Sequence, residues 1–415
     1  MRRTLHELPE SLDETFVRIL TEIRRPNQVH VYLLLQCLSV AARPLRVEEL
    51  AEILAFDFYG TQERTPSPKE HRWWEDQQQA VLYMCSSLIT IVDTGHSRVV
   101  QFSHFSVEQF LTSDRLSTSH QDISRFYIAP EPAHTTLTQA CLATLLRLDG
   151  STSIDKVERN VPLARYASQH WVEHAQFGMV SSRIEDGIKR LFDPTKPYFS
   201  TWLRLYNIDY NDHWNRSGNA RVARGSPLYY ASLCGFRDLA EHIIKDHPEQ
   251  VNAAGGRRRS PLGAALYKRH FHVAELLQQH GASVDVTDYN NQTLLQAASV
   301  DGHSDVARWL LKRGADPISQ QNDLGAPIHL ATANGHPEVI EMLLEYEVNI
   351  DSADKDGRTP LHLASSSGKA EIVRLLLDRG ANANAVDKNG WTPLSLTWTT
   401  EVERLLLDHG ASPGG

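Results

Sequence analysis

The strongest constraint on the fold is a short motif that recurs through the second half of the chain. Its clearest copy is Thr359-Pro360-Leu361-His362, and the motif returns at steps of 34 residues once and then 33 residues. The six copies begin at Ser226, Ser260, Thr293, Ala326, Thr359 and Thr392. A period of this length indicates one supersecondary unit repeated along a solenoid, in which each unit buries its apolar face only against its neighbours.

Each repeated unit carries the marks of two short helices. A glycine follows the motif in four units and predicts the end of the first helix, because glycine adopts a left-handed backbone at little cost. These glycines are Gly235, Gly302, Gly335 and Gly368. Leucine runs such as Leu375-Leu376-Leu377 predict the second helix. Arg269 replaces the glycine of the first helix in repeat two, and Glu347 replaces the glycine of the Gly-Ala pair that follows the second helix in other repeats. We therefore expect looser or strained turns at both positions.

These units resemble the ankyrin repeat, and residues 356–384 match its pattern nearly throughout. The resemblance implies an ankyrin-repeat α-solenoid over residues 222–415, with six units of helix, turn, helix and hairpin. The last unit is truncated, since Pro393 to Gly410 spans fewer positions than Pro360 to Gly380. We therefore expect a shortened first helix in that unit. Ankyrin surfaces bind proteins, so the resemblance implies protein–protein interaction.

The first half of the chain has no such period. Leu12, Phe16, Ile19 and Ile23 fall on one face of a helix. Further apolar patterns predict helices over 31–38, 45–50 and 75–88, and strands over 89–92 and 98–102. Helices followed by a hairpin predict a winged-helix module over 1–120, and residues 121–221 are expected to form a helical connecting region. The predicted fold class is therefore mainly α, ending in the ankyrin-repeat solenoid.

The net charge and the amino-acid composition limit which binding partners and which cellular compartment we expect. A net charge of −9 and a sequence pI near 6.1 disfavour nucleic acid, anionic membranes and acidic partners. Residues 73–97, the expected recognition helix and wing, contain no Lys or Arg, so DNA binding is not predicted. We find no signal peptide and no apolar stretch long enough to span a membrane. Four widely separated cysteines suit a reducing, cytoplasmic setting.

A second resemblance covers the first half of the chain. The segments 8–23, 42–52 and 102–111 resemble the winged-helix segment that follows the NACHT ATPase in fungal NOD-like receptors of the STAND class. The segments 133–149, 166–175 and 191–202 resemble the helical region that joins this module to ankyrin repeats in the same proteins. The resemblance implies a signalling receptor, related to innate immunity, whose repeats sense a ligand and whose NTPase oligomerises.

One element of that receptor family is missing from the sequence. The phosphate-binding pattern GxxxxGK[ST] does not occur, so we predict no nucleotide binding and no cofactor. The resemblance then implies only the ligand-sensing and relay part, without its NTPase. Because the chain starts directly in the winged-helix segment, we expect a fragment, a truncated gene model or an isoform. A free-standing ankyrin adaptor or scaffold is the alternative.

One short motif is typical of an enzyme. Residues 170–174 read His-Trp-Val-Glu-His, a pattern that places two imidazoles and a glutamate on one helix face in some zinc hydrolases. Tyr166, Trp171 and Ala175 favour a packed amphipathic helix instead, and no third ligand can be identified. We predict structural histidines, no bound metal and no catalytic residues, with zinc hydrolysis as a remote alternative.

Protein binding is expected at the hairpin tips and at the exposed side of the first helices. Aromatic residues and arginine are the usual anchors of an interface, which favours Tyr267, Tyr289, Arg358 and Trp391. The full set of predicted contact residues is Tyr230, Leu233, Tyr267, Lys268, Tyr289, Asn290, Gln292, Val300, Leu324, Asn334, Lys355, Arg358, Lys388 and Trp391. A partner protein on this concave face is the only partner predicted.

Overall fold

Helices dominate the structure, a computed structural model that describes residues 10–58, 66–68, 85, 87–95, 97–118, 121–209, 225–288, 291–320 and 325–412. The chain divides into two units, Met1–Ala220 and Arg221–Gly415. The mainly α fold class with its C-terminal ankyrin repeats is confirmed. The finer division of the first unit near residue 120 stays a prediction.

The first unit opens with helices and a small antiparallel sheet. The helices are α1 Glu10–Glu22, α2 Gln28–Val40 and α3 Val47–Leu54. The strands are β1 Leu45–Arg46, β2 Phe56–Asp57, β3 Ser67–Pro68, β4 Ile89–Asp93 and β5 Arg98–Phe102. Strands β1, β5 and β4 form one antiparallel sheet in that order, and β2 pairs with β3. The predicted hairpin is confirmed, and its turn has Gly95 at φ 79°.

Two sequence predictions in this region differ from the structure or fall outside it. The helix predicted from residue 45 begins only at Val47, because Leu45 pairs with Val100 in the sheet and is fully buried. The Glu49 carboxylate accepts the Arg46 backbone N–H at 2.8 Å, which fixes the start of α3. The helix predicted over 75–88 lies almost wholly outside the described residues.

The rest of the first unit is helical. Its helices are α4 Phe105–Leu111, α5 Asp114–Ser117, α6 Gln121–Ser124, α7 Pro130–Leu145, α8 Ile154–Asn160, α9 Ala164–Ala175, α10 Val180–Arg183, α11 Glu185–Phe192 and α12 Tyr198–Leu205. Helix α7 packs against both α2 and α9. The winged-helix segment and the following helices therefore share one core.

The second unit is a row of paired helices. They are α13 Pro227–Leu233, α14 Arg237–Asp246, α15 Pro261–Tyr267, α16 Phe271–Gln279, α17 Leu294–Asp301, α18 Ser304–Leu311, α19 Pro327–Asn334, α20 Pro337–Glu345, α21 Pro360–Ser366, α22 Ala370–Asp378, α23 Pro393–Leu396 and α24 Thr400–Asp408. The first helices of repeats one and two pack on each other, and so do those of repeats three and four, four and five, and five and six. Helix α23 has four residues against seven or eight in the other first helices, so the predicted truncation is confirmed.

The recurring motif begins each first helix for a local reason. A Ser or Thr hydroxyl accepts a backbone N–H from the third helical residue in four units, as Ser260 does from Gly263 at 3.0 Å. In most units proline follows at the first helical position, where no hydrogen bond is lost. The predicted left-handed glycines are also confirmed; Gly302 and Gly335 have φ 71° and 84°.

The two turns that lack glycine keep the left-handed backbone. Arg269 has φ 61° and Glu347 has φ 59°, so the strained alternative is the correct one. We expect Glu347→Gly to raise the free energy of unfolding by about 1 kcal/mol, because glycine relieves the steric cost at this exposed position. Urea unfolding of the full chain measures the change.

Matched variants separate backbone strain from other effects of that substitution. Glu347→Gln removes the same charge without relieving the strain and should leave stability unchanged. Gly380, at the equivalent position of repeat five, has φ 87° and open space around an added Cβ. Gly380→Ala should therefore lower stability by about 1 kcal/mol through the backbone alone. Equal changes in the free energy of unfolding for Glu347→Gly and Glu347→Gln would contradict the conclusion that the backbone is strained at this position.

Candidate protein-binding surface

The hairpin tip of repeat five is held rigidly by one aspartate. One oxygen of the Asp354 carboxylate accepts the backbone N–H groups of Asp356 and Arg358 at 2.9 and 2.8 Å. The Arg358 guanidinium lies 3.0 Å from the Asp354 and Asp356 carboxylates. Arg358 is therefore presented at the tip in a fixed position, which reduces the entropy lost on binding.

The tip of repeat six is built in the same way. The Asp387 carboxylate accepts the backbone N–H groups of Asn389 and Trp391 at 2.8 and 2.9 Å. The Trp391 side chain is 51% exposed, and Lys388 is exposed beside it with its ammonium bonded to the Lys355 carbonyl. The aromatic ring and the basic side chains thus stand on a hairpin whose backbone is already ordered.

Side chains at equivalent positions of four first helices each bond to the hairpin of the following repeat, and we call this set the ladder. Its members occupy the last position of the four-residue motif and bond the backbone of the next hairpin. The bonds are Tyr229 Oη accepting from Arg258 N at 3.1 Å, Gln296 Nε2 to Gly325 O at 2.8 Å, His329 Nε2 to Ser352 O at 2.9 Å and His362 Nε2 to Trp391 O at 3.0 Å. Sequence reasoning missed this role, although the motif repeated the position that carries it.

Two predicted contact residues are placed differently from the sequence prediction. Tyr230 is fully buried and Leu233 is 2% exposed, because both face the packed interior around α13. An exposed position was therefore wrong for both. Tyr289, Asn290 and Leu324 lie outside the described residues.

The other predicted contact residues reach the surface to different degrees. Lys268, Asn334, Lys355, Lys388 and Trp391 are exposed. Tyr267, Gln292, Val300 and Arg358 are half-buried. The exposed members lie on hairpin tips or at the ends of first helices, so the geometry leaves a band of reachable side chains along several repeats. Whether these side chains contact a partner stays a prediction.

The two histidines of the enzyme-like motif belong to a packed network. Nε2 of His174 lies 2.8 Å from the Tyr166 hydroxyl, and Nδ1 of His174 lies 3.0 Å from Nδ1 of His134. Burial, with His134 and His170 nearby, lowers the pKa of His174 to about 3. The other histidine of the motif, His170, has its Nδ1 3.6 Å from the Glu173 carboxylate. Both ring nitrogens of His174 thus have protein partners, which fits a structural role.

Two absences concern only the part of the chain that the structure describes. There, no group of three or more His, Cys, Asp or Glu side chains is placed to hold a metal ion. No helix in the same part combines the length and apolar character needed to cross a bilayer. All four cysteines lie within the described residues, are buried and form no disulfide.

Comparison with known families agrees with these two architectures. Residues 228–321 and 328–414 match the family described as "Ankyrin repeats (3 copies)", and residues 21–123 match "GPI inositol-deacylase, winged helix domain". The second unit is thus an ankyrin-repeat domain, a class that mediates protein–protein interaction. The first unit carries a winged-helix domain of the GPI-inositol-deacylase type, which belongs to a NACHT-associated family.

A curated relative extends the similarity beyond the repeats. The "Azaphilone pigments biosynthesis cluster protein L" of Monascus ruber is 33% identical over 309 residues, which cover 68% of this chain. The chain spans 61% of the length of that relative.

Ankyrin repeat domains of known structure match part of this chain. An ankyrin repeat domain from Acinetobacter baumannii AYE is 31% identical with a TM-score of 0.41, covering 45% of this chain and 98% of that chain. The human ASB11 ankyrin repeat domain is 25% identical with a TM-score of 0.40, covering 45% of this chain and 84% of its own.

Proposed function

We propose that this chain is the non-catalytic, ligand-sensing and relay part of a cytoplasmic signalling protein of the fungal NOD-like receptor type. The observation that carries the proposal is the band of aromatic and basic side chains that reach the surface on ordered hairpins, above all the exposed Trp391 and the half-buried Arg358. Support also comes from the winged-helix match, because that domain type is associated with NACHT proteins. A partner protein binds the concave face of the repeats.

The relay step rests on how the first unit is built. The Ala42 N–H donates to the Tyr166 hydroxyl at 3.1 Å, and the Leu163 N–H donates to the Glu52 carboxylate at 2.8 Å. The Arg46 guanidinium donates to the Pro162 carbonyl at 2.9 Å. These bonds join the α2–α3 region to α9 and its preceding loop. A displacement of the helical region would therefore be transmitted to the winged helix, as a relay requires.

Substitutions at the tips test the binding face. We expect Trp391→Ala and Arg358→Ala each to lower the affinity for a purified partner by about 10-fold or more, because aromatic and arginine anchors dominate interface energies. The partner is first recovered by affinity purification on the full chain and then titrated by calorimetry. Leu407→Ala and Arg374→Ala, which truncate exposed side chains on second helices, are the matched controls. Equal losses from the controls would contradict the choice of face.

Hydrogen exchange on the same complex tests the relay. A sensor and relay protein should show slowed exchange in α2 and α3 when the partner occupies the repeats, as well as in the repeats themselves. A free-standing adaptor should show protection in the repeats alone. Protection confined to residues 225–412 would therefore favour the adaptor function over the proposed receptor role.

A further inference from the structure

Repeat two is unusually basic on its hairpin and first helix. It carries Arg257, Arg258 and Arg259 in the hairpin, followed by Lys268 and Arg269 at the end of α15. Arg269 is ion-paired with Asp305, and the Arg259 guanidinium donates to the Asp288 carbonyl at 3.1 Å. Those two side chains therefore have structural roles, while Arg257 and Lys268 are exposed.

Arg258 differs from the other four cations. Its guanidinium carbon lies 3.5 Å from the centre of the Tyr267 ring, the stacked geometry of a cation–π contact. Its Nε is buried without a hydrogen-bond partner among the described residues. None of the described carboxylates forms an ion pair with it. A buried donor that is left unsatisfied carries a free-energy cost, which a ligand with a suitable acceptor would remove.

The position of Arg258 is fixed by its neighbours. Its backbone N–H donates to the Tyr229 hydroxyl, and its carbonyl passes so near Gly263 that an added Cβ would lie 2.6 Å from the oxygen. Repeat two has glycine here, where four other repeats have a Tyr, Gln or His that joins the ladder. The glycine allows the Arg258 backbone to approach α15 closely, and Arg258 and Tyr267 line a small pocket there.

Arg258 faces a small open pocket between repeats two and three. Leu294, Ala297 and Val306 line it on the apolar side. Arg258 also lines it, together with two residues of opposite charge, Asp288 and Asp301. These two carboxylates repel a doubly charged phosphate more strongly than a singly charged carboxylate, which the guanidinium can hold. Arginine suits this purpose because its planar fork matches the two oxygens of a carboxylate.

We propose that the pocket beside Arg258 binds an Asp or Glu side chain from an acidic segment of the partner protein. This inference rests on the proposed protein-binding function and adds the partner's chemistry. The net charge of −9 argued against acidic partners, but the charge is unevenly distributed. The second helices of repeats four to six carry Glu338, Glu341, Glu345, Glu371, Glu401 and Glu403. An acidic segment is therefore repelled there and attracted to the basic residues of repeat two.

Selection from a random library tests this specificity without a known partner. A random dodecapeptide library displayed on phage is selected against the full chain and, in parallel, against Arg258→Gln. We expect peptides selected by the native chain to be enriched in Asp and Glu, and this enrichment to disappear with Arg258→Gln. Synthetic copies of the selected peptides are then measured by fluorescence anisotropy at two salt concentrations.

The variants distinguish a carboxylate anchor from general attraction. Arg258→Gln should lower the affinity for an acidic peptide by about 10-fold. Arg258→Lys should lower it by about fivefold, since lysine keeps the charge but lacks the planar fork. Arg404→Gln, which removes an exposed charge from α24, is the matched control and should have no effect. Native affinity in Arg258→Lys would overturn the forked contact. Unchanged thermal unfolding of each variant excludes a loss caused by misfolding.

The remaining outcomes distinguish the acidic anchor at Arg258 from the proposed protein-binding function on which it rests. Selected peptides that lack Asp and Glu yet lose affinity with Trp391→Ala would overturn the acidic anchor and leave the protein-binding function standing. Failure to select any peptide would contradict both. Inorganic phosphate and a 20-base-pair DNA duplex are added as competitors. Stronger competition by either than by free glutamate would overturn the carboxylate specificity.

Discussion

Replacing Trp202 with alanine should lower the free energy of unfolding of the first unit by about 4 kcal/mol. The indole is fully buried, with its ring centre 5.3 Å from that of Trp171 and 5.7 Å from that of Phe192. Its Nε1–H donates to the Ser168 carbonyl at 3.0 Å, which connects α12 to α9. Alanine removes both the aromatic contacts and this bond, and it leaves a cavity that the rigid helices fill only in part.

Hydrogen exchange followed by mass spectrometry measures this effect in the full chain, because the two units need not unfold together. Peptides from α9, α11 and α12 should exchange faster, while peptides from the repeats serve as the internal reference. Trp202→Phe keeps an aromatic ring but leaves the Ser168 carbonyl without its donor, so we expect a smaller loss of about 2 kcal/mol. Equal exchange in Trp202→Ala and the native chain would show that this cluster does not stabilise the unit.

The repeat region was predictable from the sequence because each of its units repeats the same local signals. Ser or Thr before proline begins the first helices, and left-handed glycines such as Gly335 end them. Both signals act within a few residues, so they do not depend on the tertiary fold. The loss of three residues before α24 likewise predicted the short α23 correctly.

What the sequence could not predict depends on contacts between distant residues. Leu45 forms a strand rather than a helix because Val100 is beside it, and no local pattern carries that pairing. Tyr230 was expected at the surface from its position in the repeat but is buried. The sequence does not indicate that Arg258 stacks on Tyr267, because this contact joins residues nine positions apart across a hairpin and a helix.

Substitution of His362 by alanine should lower the free energy of unfolding of the repeat domain by about 3 kcal/mol. The imidazole is fully buried, and its Nδ1 lies 3.1 Å from the Thr359 backbone nitrogen, whose N–H it accepts. Its Nε2–H donates to the Trp391 carbonyl, so one ring holds the start of α21 and the next hairpin together. Alanine breaks both bonds. Ser395→Ala, at the same position of repeat six, is the control and should cost less than 1 kcal/mol because Ser395 is exposed.

The same ring makes the repeat domain sensitive to acid. Burial lowers the pKa of His362 below its ordinary value of 6.5, and burial acts in the same direction on His329. Since the unfolded chain binds these protons more readily, their contribution is fully present above pH 6.5 and is lost as the pH falls further. Below pH 6.5, and down to its own pKa in the folded state, each histidine can lower the free energy of unfolding by up to about 1.4 kcal/mol per pH unit.

A glutamine variant distinguishes the effect of the His362 hydrogen bonds on stability from the effect of its protonation. Gln296 occupies the equivalent position of repeat three, where its amide donates to the Gly325 carbonyl and accepts the Thr293 N–H at 2.8 Å. We therefore expect His362→Gln to retain most of the stability at pH 7.5 but to lose less than the native chain between pH 6.5 and 5. Urea unfolding across this range measures both effects. An identical pH dependence in the two proteins would assign the acid sensitivity to other groups and leave His362 with the bonding role alone.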